Sequence, residues 1–184
     1  MSRRALISSV LSICLCLFAG LVGAAPAAAM GGPQVPLGEP APAFTLPTNV
    51  GDGEISLADY QGQWVVLYFY PKDFTSGCTL EAQRFQRDFA QYQAHNAQIL
   101  GVSADDVDSH AEFCDSEGLE FPLLSDPKGQ VSKAYGSWLG AMSLRHTYII
   151  DPEGVMRARF LGVSPPIHSQ EVLAALDELQ GVDG

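Results

Sequence analysis

The 184 residues are 47% hydrophobic and 17% charged, which is enough apolar material for one globular domain with its own core and too much for a disordered chain. The formal net charge is -11. Acidic residues scattered along the chain would repel phosphate backbones and anionic lipid surfaces, so no nucleic-acid partner is expected.

Arg3 and Arg4 precede an uncharged apolar run from Ala5 to Val22, which gives way to the small-residue stretch GAAPAAA. That is the layout of a secretory signal, and Ala27 with Ala29 supplies an A-x-A cleavage pattern. Residues 1–29 are therefore read as a cleaved signal peptide and 30–184 as the folded domain, with a cut after Ala25 as the second choice. The alternative is an uncleaved anchor, since the stretch from Ala5 to Ala29 is long enough to span a bilayer. SRRALI also resembles a twin-arginine export signal, and ordinary signals carry arginine pairs too, so the export route stays open. Cys14 and Cys16 do not follow the small residue that a lipidation site needs, and both leave with the signal. Cleavage removes two of the ten basic residues and none of the 21 acidic ones, leaving -13 and only two cysteines, Cys78 and Cys114.

The proline-rich segment 31–47 predicts an extended lead-in on the domain surface with a mobile tip. Gly51-Asp52-Gly53, between short polar-apolar alternations, predicts a hairpin or tight loop. WVVLYFY (64–70) is a continuous β-branched and aromatic run, as expected of a central strand covered on both faces and ended by Pro71. From Thr79 to about Ala94, Leu80, Phe85, Phe89 and Tyr92 recur at helical spacing, giving an amphipathic helix that starts beside Cys78. ILGVSA (99–104) is a second buried strand, and residues 107–118 are a helix closed by Gly118.

FPLLSD then reads as a short strand, PKGQVSKAYG as a turn and short helix, and HTYIID (146–151) as a third buried strand. A turn at 151–154 leads into the strand VMRARFLG. His168 to Leu179 forms a terminal helix with a stripe through Val172, Leu173, Leu176 and Leu179. Alternating strands and helices ending in a hairpin favour an α/β domain with a mixed central sheet flanked by helices.

The chemistry is concentrated in FYPKDFTSGCTLE (69–81). A buried strand runs into a loop, and a cysteine follows at a helix N-terminus, where the partial positive charge and unpaired N–H groups favour a negative sulfur. Thr75, three residues before Cys78, is placed to donate to that sulfur and to accept from a group bound beside it. Pro71 has no N–H to offer and can wall the sulfur from water. With threonine where a C-x-x-C pair would hold its second cysteine, local dithiol exchange is excluded.

The pattern P-x-x-x-T-x-x-C, carried by Pro71, Thr75 and Cys78, resembles the peroxiredoxins, and GCTLEA and FPLLSDP resemble their bacterioferritin-comigratory (PrxQ) branch, over about residues 35–180. The resemblance implies a thioredoxin-like fold and a thiol peroxidase that needs no metal or organic cofactor. Cys78 would attack a hydroperoxide and become a sulfenic acid, with Arg145, in LRHTYIID, as the arginine that holds the thiolate and polarises the O–O bond. Glu81 falls where the branch often has an acid. It is left open whether that acid orients Arg145 or only favours the helix start.

Where the branch commonly has a second cysteine, five residues after the first, this chain has Gln83. Cys114, 36 residues after Cys78, fits the subgroup whose resolving cysteine lies on the following helix. Pairing the two requires the first turn of the Cys78 helix to unwind, because their Cα atoms are expected beyond the roughly 7 Å a disulfide tolerates. A thioredoxin or thioredoxin-like dithiol is the implied reductant, a monomer the implied state, and a periplasm or thylakoid lumen the implied compartment.

Rival readings are a thiol-disulfide oxidoreductase, a non-enzymatic thioredoxin-fold binding module, and a metal site on His110 and Cys114, which lie four apart on one helical face. His95, His146 and His168 are expected at the surface or at strand edges. Phe113, Tyr135 and Trp138 would flank the substrate mouth or belong to the core.

Overall fold

In a computed structural model of the chain, residues 30–50 and 53–181 are described, and the segment assigned to a signal peptide lies outside them. The strands are β1 (Thr45–Pro47), β2 (Glu54–Ser56), β3 (Trp64–Phe69), β4 (Ala97–Ser103), β5 (Leu123–Ser125), β6 (His146–Ile150) and β7 (Met156–Leu161). The helices are α1 (Ser76–Arg87), α2 (Phe89–Ala94), α3 (Val107–Glu117), α4 (Gln130–Ala134) and α5 (His168–Gln180). β1 and β2 pair as the predicted hairpin, though Gly51 and Asp52 lie outside the described residues.

The other five strands form one sheet in the order β5-β4-β3-β6-β7. β3, β4 and β5 run parallel, β6 pairs antiparallel with β3, and β7 pairs antiparallel with β6. This is the mixed sheet expected of a thioredoxin-like α/β domain, with β3 at its centre because that strand is apolar on both faces. Side chains alternate along a strand, so Val66, Tyr68 and Tyr70 join Phe85, Phe113, Leu173 and Leu176 in one apolar cluster under α1, α3 and α5. Val65, Leu67 and Phe69 join Phe44, Leu46, Tyr135 and Tyr148 in another.

Three details depart from the sequence expectations. The proline-rich lead-in buries Val35 and Phe44 in the second cluster, and its backbone bonds to Gly154 and Met156 make it part of the domain wall. The helix expected from Thr79 to Ala94 begins earlier, at Ser76, and is split at Asp88 (φ -96°, ψ 5°). There the buried Asp88 carboxylate accepts hydrogen bonds from Arg87, Ser169 and Gln170, a long-range reason for a bend that leaves the apolar period intact. Leu179, at the end of the expected stripe on α5, is exposed.

The topology decides where chemistry can occur. The parallel strands all end on one edge of the sheet, the edge at which α/β proteins form crevices. Because β6 runs antiparallel to β3 with His146 opposite Phe69, the residues just before β6 meet the residues just after β3.

Gly101 on β4 lies under that edge. A Cβ there would come within 2.6 Å of Leu123 Cδ2 and 2.7 Å of the Tyr68 hydroxyl. Gly101→Ala should therefore lower unfolding stability by about 1–3 kcal/mol through overpacking. An unchanged urea midpoint would mean that both neighbours move aside freely.

Candidate active site

Cys78 is the third residue of α1, whose N-cap is Thr75 in extended conformation (φ -83°, ψ 143°). The N–H groups of this first turn have no acceptor within the helix and face the same end as the sulfur. The Cys78 side chain is almost fully buried, with 1% exposure. From the entry to β6, 67 residues away in sequence, Arg145 Nη2 donates to Cys78 Sγ at 3.3 Å, and its Nη1 donates to Glu81 Oε2. Glu81 sits one turn beyond Cys78 on α1 and is buried. Of the two readings open for Glu81, the structure realises the first: it orients Arg145.

Gly77 was not singled out by the sequence. A Cβ at this position would lie 3.2 Å from Arg145 Nη2, so the missing side chain lets the guanidinium lie against the first turn of α1. Its neighbours in TSGCT carried the only available signal. Burial disfavours the charge on Arg145, but Glu81 and the Cys78 sulfur more than restore it, and its pKa is raised. Burial pushes the Glu81 carboxyl up to about 7 against the pull of Arg145.

The loop from Pro71 to Thr75 is held from beneath. Asp73 Oδ1 accepts from the Tyr70 hydroxyl (2.7 Å), Oδ2 from Ser109 Oγ (2.7 Å), and His110 Nδ1 lies 2.9 Å from Oδ2. The Asp73 N–H donates to Asp105 Oδ2 (2.9 Å), which also accepts from Ser103 Oγ. Phe74 takes a positive φ of 59°, a conformation unfavourable for an aromatic residue, and packs edge-on against Phe113. Thr75 differs from the expectation, because its exposed hydroxyl donates to the Lys72 carbonyl (3.1 Å) and not to the sulfur. The turn from Lys72 to Thr75 offers the hydroxyl a backbone acceptor at hydrogen-bond distance. Pro71 lines a cavity of about 500 Å³ together with Met142, Leu144, Arg145, Leu161 and Val163.

Cys114 lies on α3, is buried, and shares an apolar cluster with Cys78. Both thiols are free. Burial pushes the Cys114 thiol up to about 11, against a hydrogen bond with Asn49. The metal reading of His110 and Cys114 gains no further ligands: His110 is bonded to Asp73, and among the described residues no group of three His, Cys, Asp or Glu could hold an ion. His168 is fully buried at the start of α5, its Nε2 2.8 Å from Thr147 Oγ1, contrary to the surface or strand-edge position expected. The spacing of a single histidine carries no sign of such a partner. His95 is half-buried, bonded to Gln180 and paired with Asp177, and His146 is buried at the start of β6. Phe113 and Tyr135 belong to the core and Trp138 is half-buried.

A buried cysteine at a helix start, under a guanidinium and without a second cysteine in its loop, is built for nucleophilic attack by one sulfur. Fold and site together define a thiol peroxidase. The AhpC/TSA family model matches residues 37–159, and the chain belongs to that family. It is 39% identical over 151 residues to a putative peroxiredoxin bcp of Coxiella burnetii, covering 78% of this chain and 99% of that one. Among solved structures, a cysteine-to-serine mutant of Xylella fastidiosa PrxQ aligns with a TM-score of 0.76 and 33% identity, over 81% of this chain and 99% of that one. The bacterioferritin comigratory protein of Xanthomonas campestris, studied as trapped intermediate and ligand complexes for alkyl peroxide reduction, aligns with a TM-score of 0.71 and 33% identity, over 74% and 91%.

Glu81 ties this site to pH. Its carboxyl ordinarily titrates near 4.5 and in the fold near 7, so across that window the folded chain keeps a proton that the unfolded chain has released. Stability then falls as pH rises from 4.5 to 7, by about 3 kcal/mol from this residue alone. Urea unfolding at both ends of the window should show a drop in the wild type that is smaller by about that amount in Glu81→Gln. Equal drops would mean that Arg145 keeps the carboxylate ionised throughout.

Proposed function

We propose that Cys78 is the peroxidatic cysteine, Cys114 the resolving cysteine, and Arg145, Thr75 and Pro71 the groups that prepare the first for attack. The contact from Arg145 Nη2 to Cys78 Sγ at 3.3 Å carries this reading. A guanidinium there stabilises a thiolate and then the negative charge that develops on the peroxide oxygen as the O–O bond breaks. The sulfur attacks one peroxide oxygen, the other leaves as water or alcohol after gaining a proton, and Cys78 becomes a sulfenic acid. With its proton given to the Lys72 carbonyl, Thr75 offers a lone pair that can accept from the peroxide O–H. The apolar cavity beside Arg145 and Pro71 suits the carbon chain of an organic hydroperoxide.

Cys114 then displaces hydroxide from the sulfenic sulfur to give a disulfide, and an external dithiol of the thioredoxin type returns both thiols to the reduced state. This reading is supported by the placement of both cysteines in one apolar cluster and by their being the two that remain after signal removal. The Arg pair, apolar run and A-x-A pattern support export to a periplasm or thylakoid lumen, and the resemblance to the PrxQ branch supports a monomer.

After one equivalent of peroxide, the intact mass of the mature protein should fall by two hydrogens in the wild type and rise by one oxygen in Cys114→Ser. Cys78→Ser should stay unchanged and consume no peroxide. Arg145→Lys, which loses the fork that reaches sulfur and carboxylate together, should slow Cys78 oxidation by about a hundredfold or more. Oxidation of Cys78→Ser at the wild-type rate would remove the assignment. Protein recovered from the exported fraction should begin near Met30 and have the native mass of one chain; retention of residues 1–29 would favour the anchor instead.

A further inference from the structure

His110 is fully buried, and its Nε2 has no hydrogen-bond partner, although an unpartnered buried polar atom costs about 1–3 kcal/mol. The state of its ring follows from its neighbours. Asp73 accepts from Tyr70 and Ser109. Burial alone would raise its pKa, yet the bonds from His110, Ser109 and Tyr70 leave it lowered. It is therefore a carboxylate, which only accepts, so the proton on the bonded ring nitrogen must sit on Nδ1. In the neutral imidazole Nε2 then carries a bare lone pair, held away from water.

Cys114 is four residues further along the same helix. Such residues share a helix face with Cβ atoms about 5–6 Å apart, so Cys114 stands one turn beyond His110 on that face of α3. In the reduced protein the two are not bonded, and the thiol is engaged with Asn49. Asp73 and His110 are thus bonded in the order in which a base is oriented, and Cys114, one turn away on the same helix face, is the nucleophile that turning away from Asn49 would bring to the free nitrogen. Asp73 is also part of the loop that leads to Cys78, so the same carboxylate fixes both that loop and the ring.

We propose that His110, oriented by Asp73, is the base that takes the proton of Cys114 in the resolving step. The inference rests on Cys114 being the resolving cysteine. As the S–H bond breaks, its proton passes to Nε2 and the thiolate attacks the sulfenic sulfur of Cys78. The S–S bond forms, the S–O bond breaks, and the departing hydroxide takes up the proton and leaves as water. The imidazolium formed in between is stabilised by the Asp73 carboxylate, and His110 ends as it began. Without a base, a thiol buried in this way would present very little thiolate near neutral pH.

The titratable groups facing His110 are Tyr70 and Asp73 from the segment after β3, Asp105 behind Asp73, and Cys114 on its own helix. Reduced mature protein, mixed rapidly with one equivalent of hydrogen peroxide between pH 5.5 and 8.5 and quenched for intact mass, resolves the two steps. In His110→Gln, whose amide can still donate to Asp73, sulfenic acid should appear at the wild-type rate and convert to disulfide at least about tenfold more slowly. Its conversion should also rise about tenfold per pH unit, whereas the wild-type rate should depend on pH much less steeply. Asp73→Asn should slow the same step. An unchanged rate and profile in His110→Gln would overturn the proposal, and so would equal slowing of both steps, the mark of a purely structural role. If the wild type forms no disulfide and behaves like Cys114→Ser, the assignment of Cys114 itself fails.

Discussion

A guanidinium largely withdrawn from water must be surrounded by acceptors, and Arg145 has two: a carboxylate and a sulfur. Both come from α1, one helical turn apart, while Arg145 immediately precedes β6, the strand beside β3. The two contacts therefore fasten the start of α1 to the sheet edge, the sulfur contact holding the first turn, which carries Cys78, and the ion pair holding the turn after it. Removing one partner of such a pair leaves a buried charge unpaired, at a cost of about 3–5 kcal/mol. In the proposed cycle, oxidation of a thiolate to a sulfenic acid removes one of the two negative charges facing Arg145. In that cycle the first oxidation therefore weakens the hold on the first turn, the turn whose opening the resolving step proposed above would use.

The loop before α1 has the opposite character. Asp73 accepts through both oxygens and its N–H is anchored to Asp105, so the segment between β3 and α1 is tied to the ends of β4 and α3. That anchoring offsets the unfavourable backbone of Phe74 and sets the Thr75 hydroxyl on the Lys72 carbonyl. A rigid loop on one side of Cys78 and a releasable helical turn on the other confine movement to the few residues that need it.

How much of this the sequence discloses depends on the range of the interaction. Strands β3, β4 and β6 are legible because a buried strand needs a continuous apolar run, and α3 because Gly118 closes it in a left-handed conformation. Cys78, Thr75 and Pro71 are legible because a helix start and its preceding loop are local. The contacts of Arg145 with Glu81 and Cys78 span 64 and 67 residues, and that of Asp73 with His110 spans 37. Hydrophobic periodicity carries no trace of such pairings, so Glu81 stays ambiguous and Asp73 and Gly77 go unnoticed until the fold is known. The bend at Asp88 is hidden for the same reason, since its partners Ser169 and Gln170 lie on α5.

The departure at Gln83 becomes intelligible once α1 and α3 are seen side by side. Gln83 Nε2 donates to Glu117 (2.7 Å), and Gln86 both donates to the Glu120 carboxylate and accepts from its backbone N–H (2.8 Å each). Exposed bonds of this kind are worth about 1 kcal/mol or less apiece. They act on the second half of α1, away from the turn that Arg145 holds. A helix docked at its far end to the element that carries Cys114, and held at its near end by a charge that oxidation removes, can loosen its first turn without leaving its neighbour. Where a cysteine at position 83 would place the partner thiol on α1 itself, this chain gives that position to a tie that, in the proposed cycle, keeps the two helices in register as Cys114 reaches Cys78.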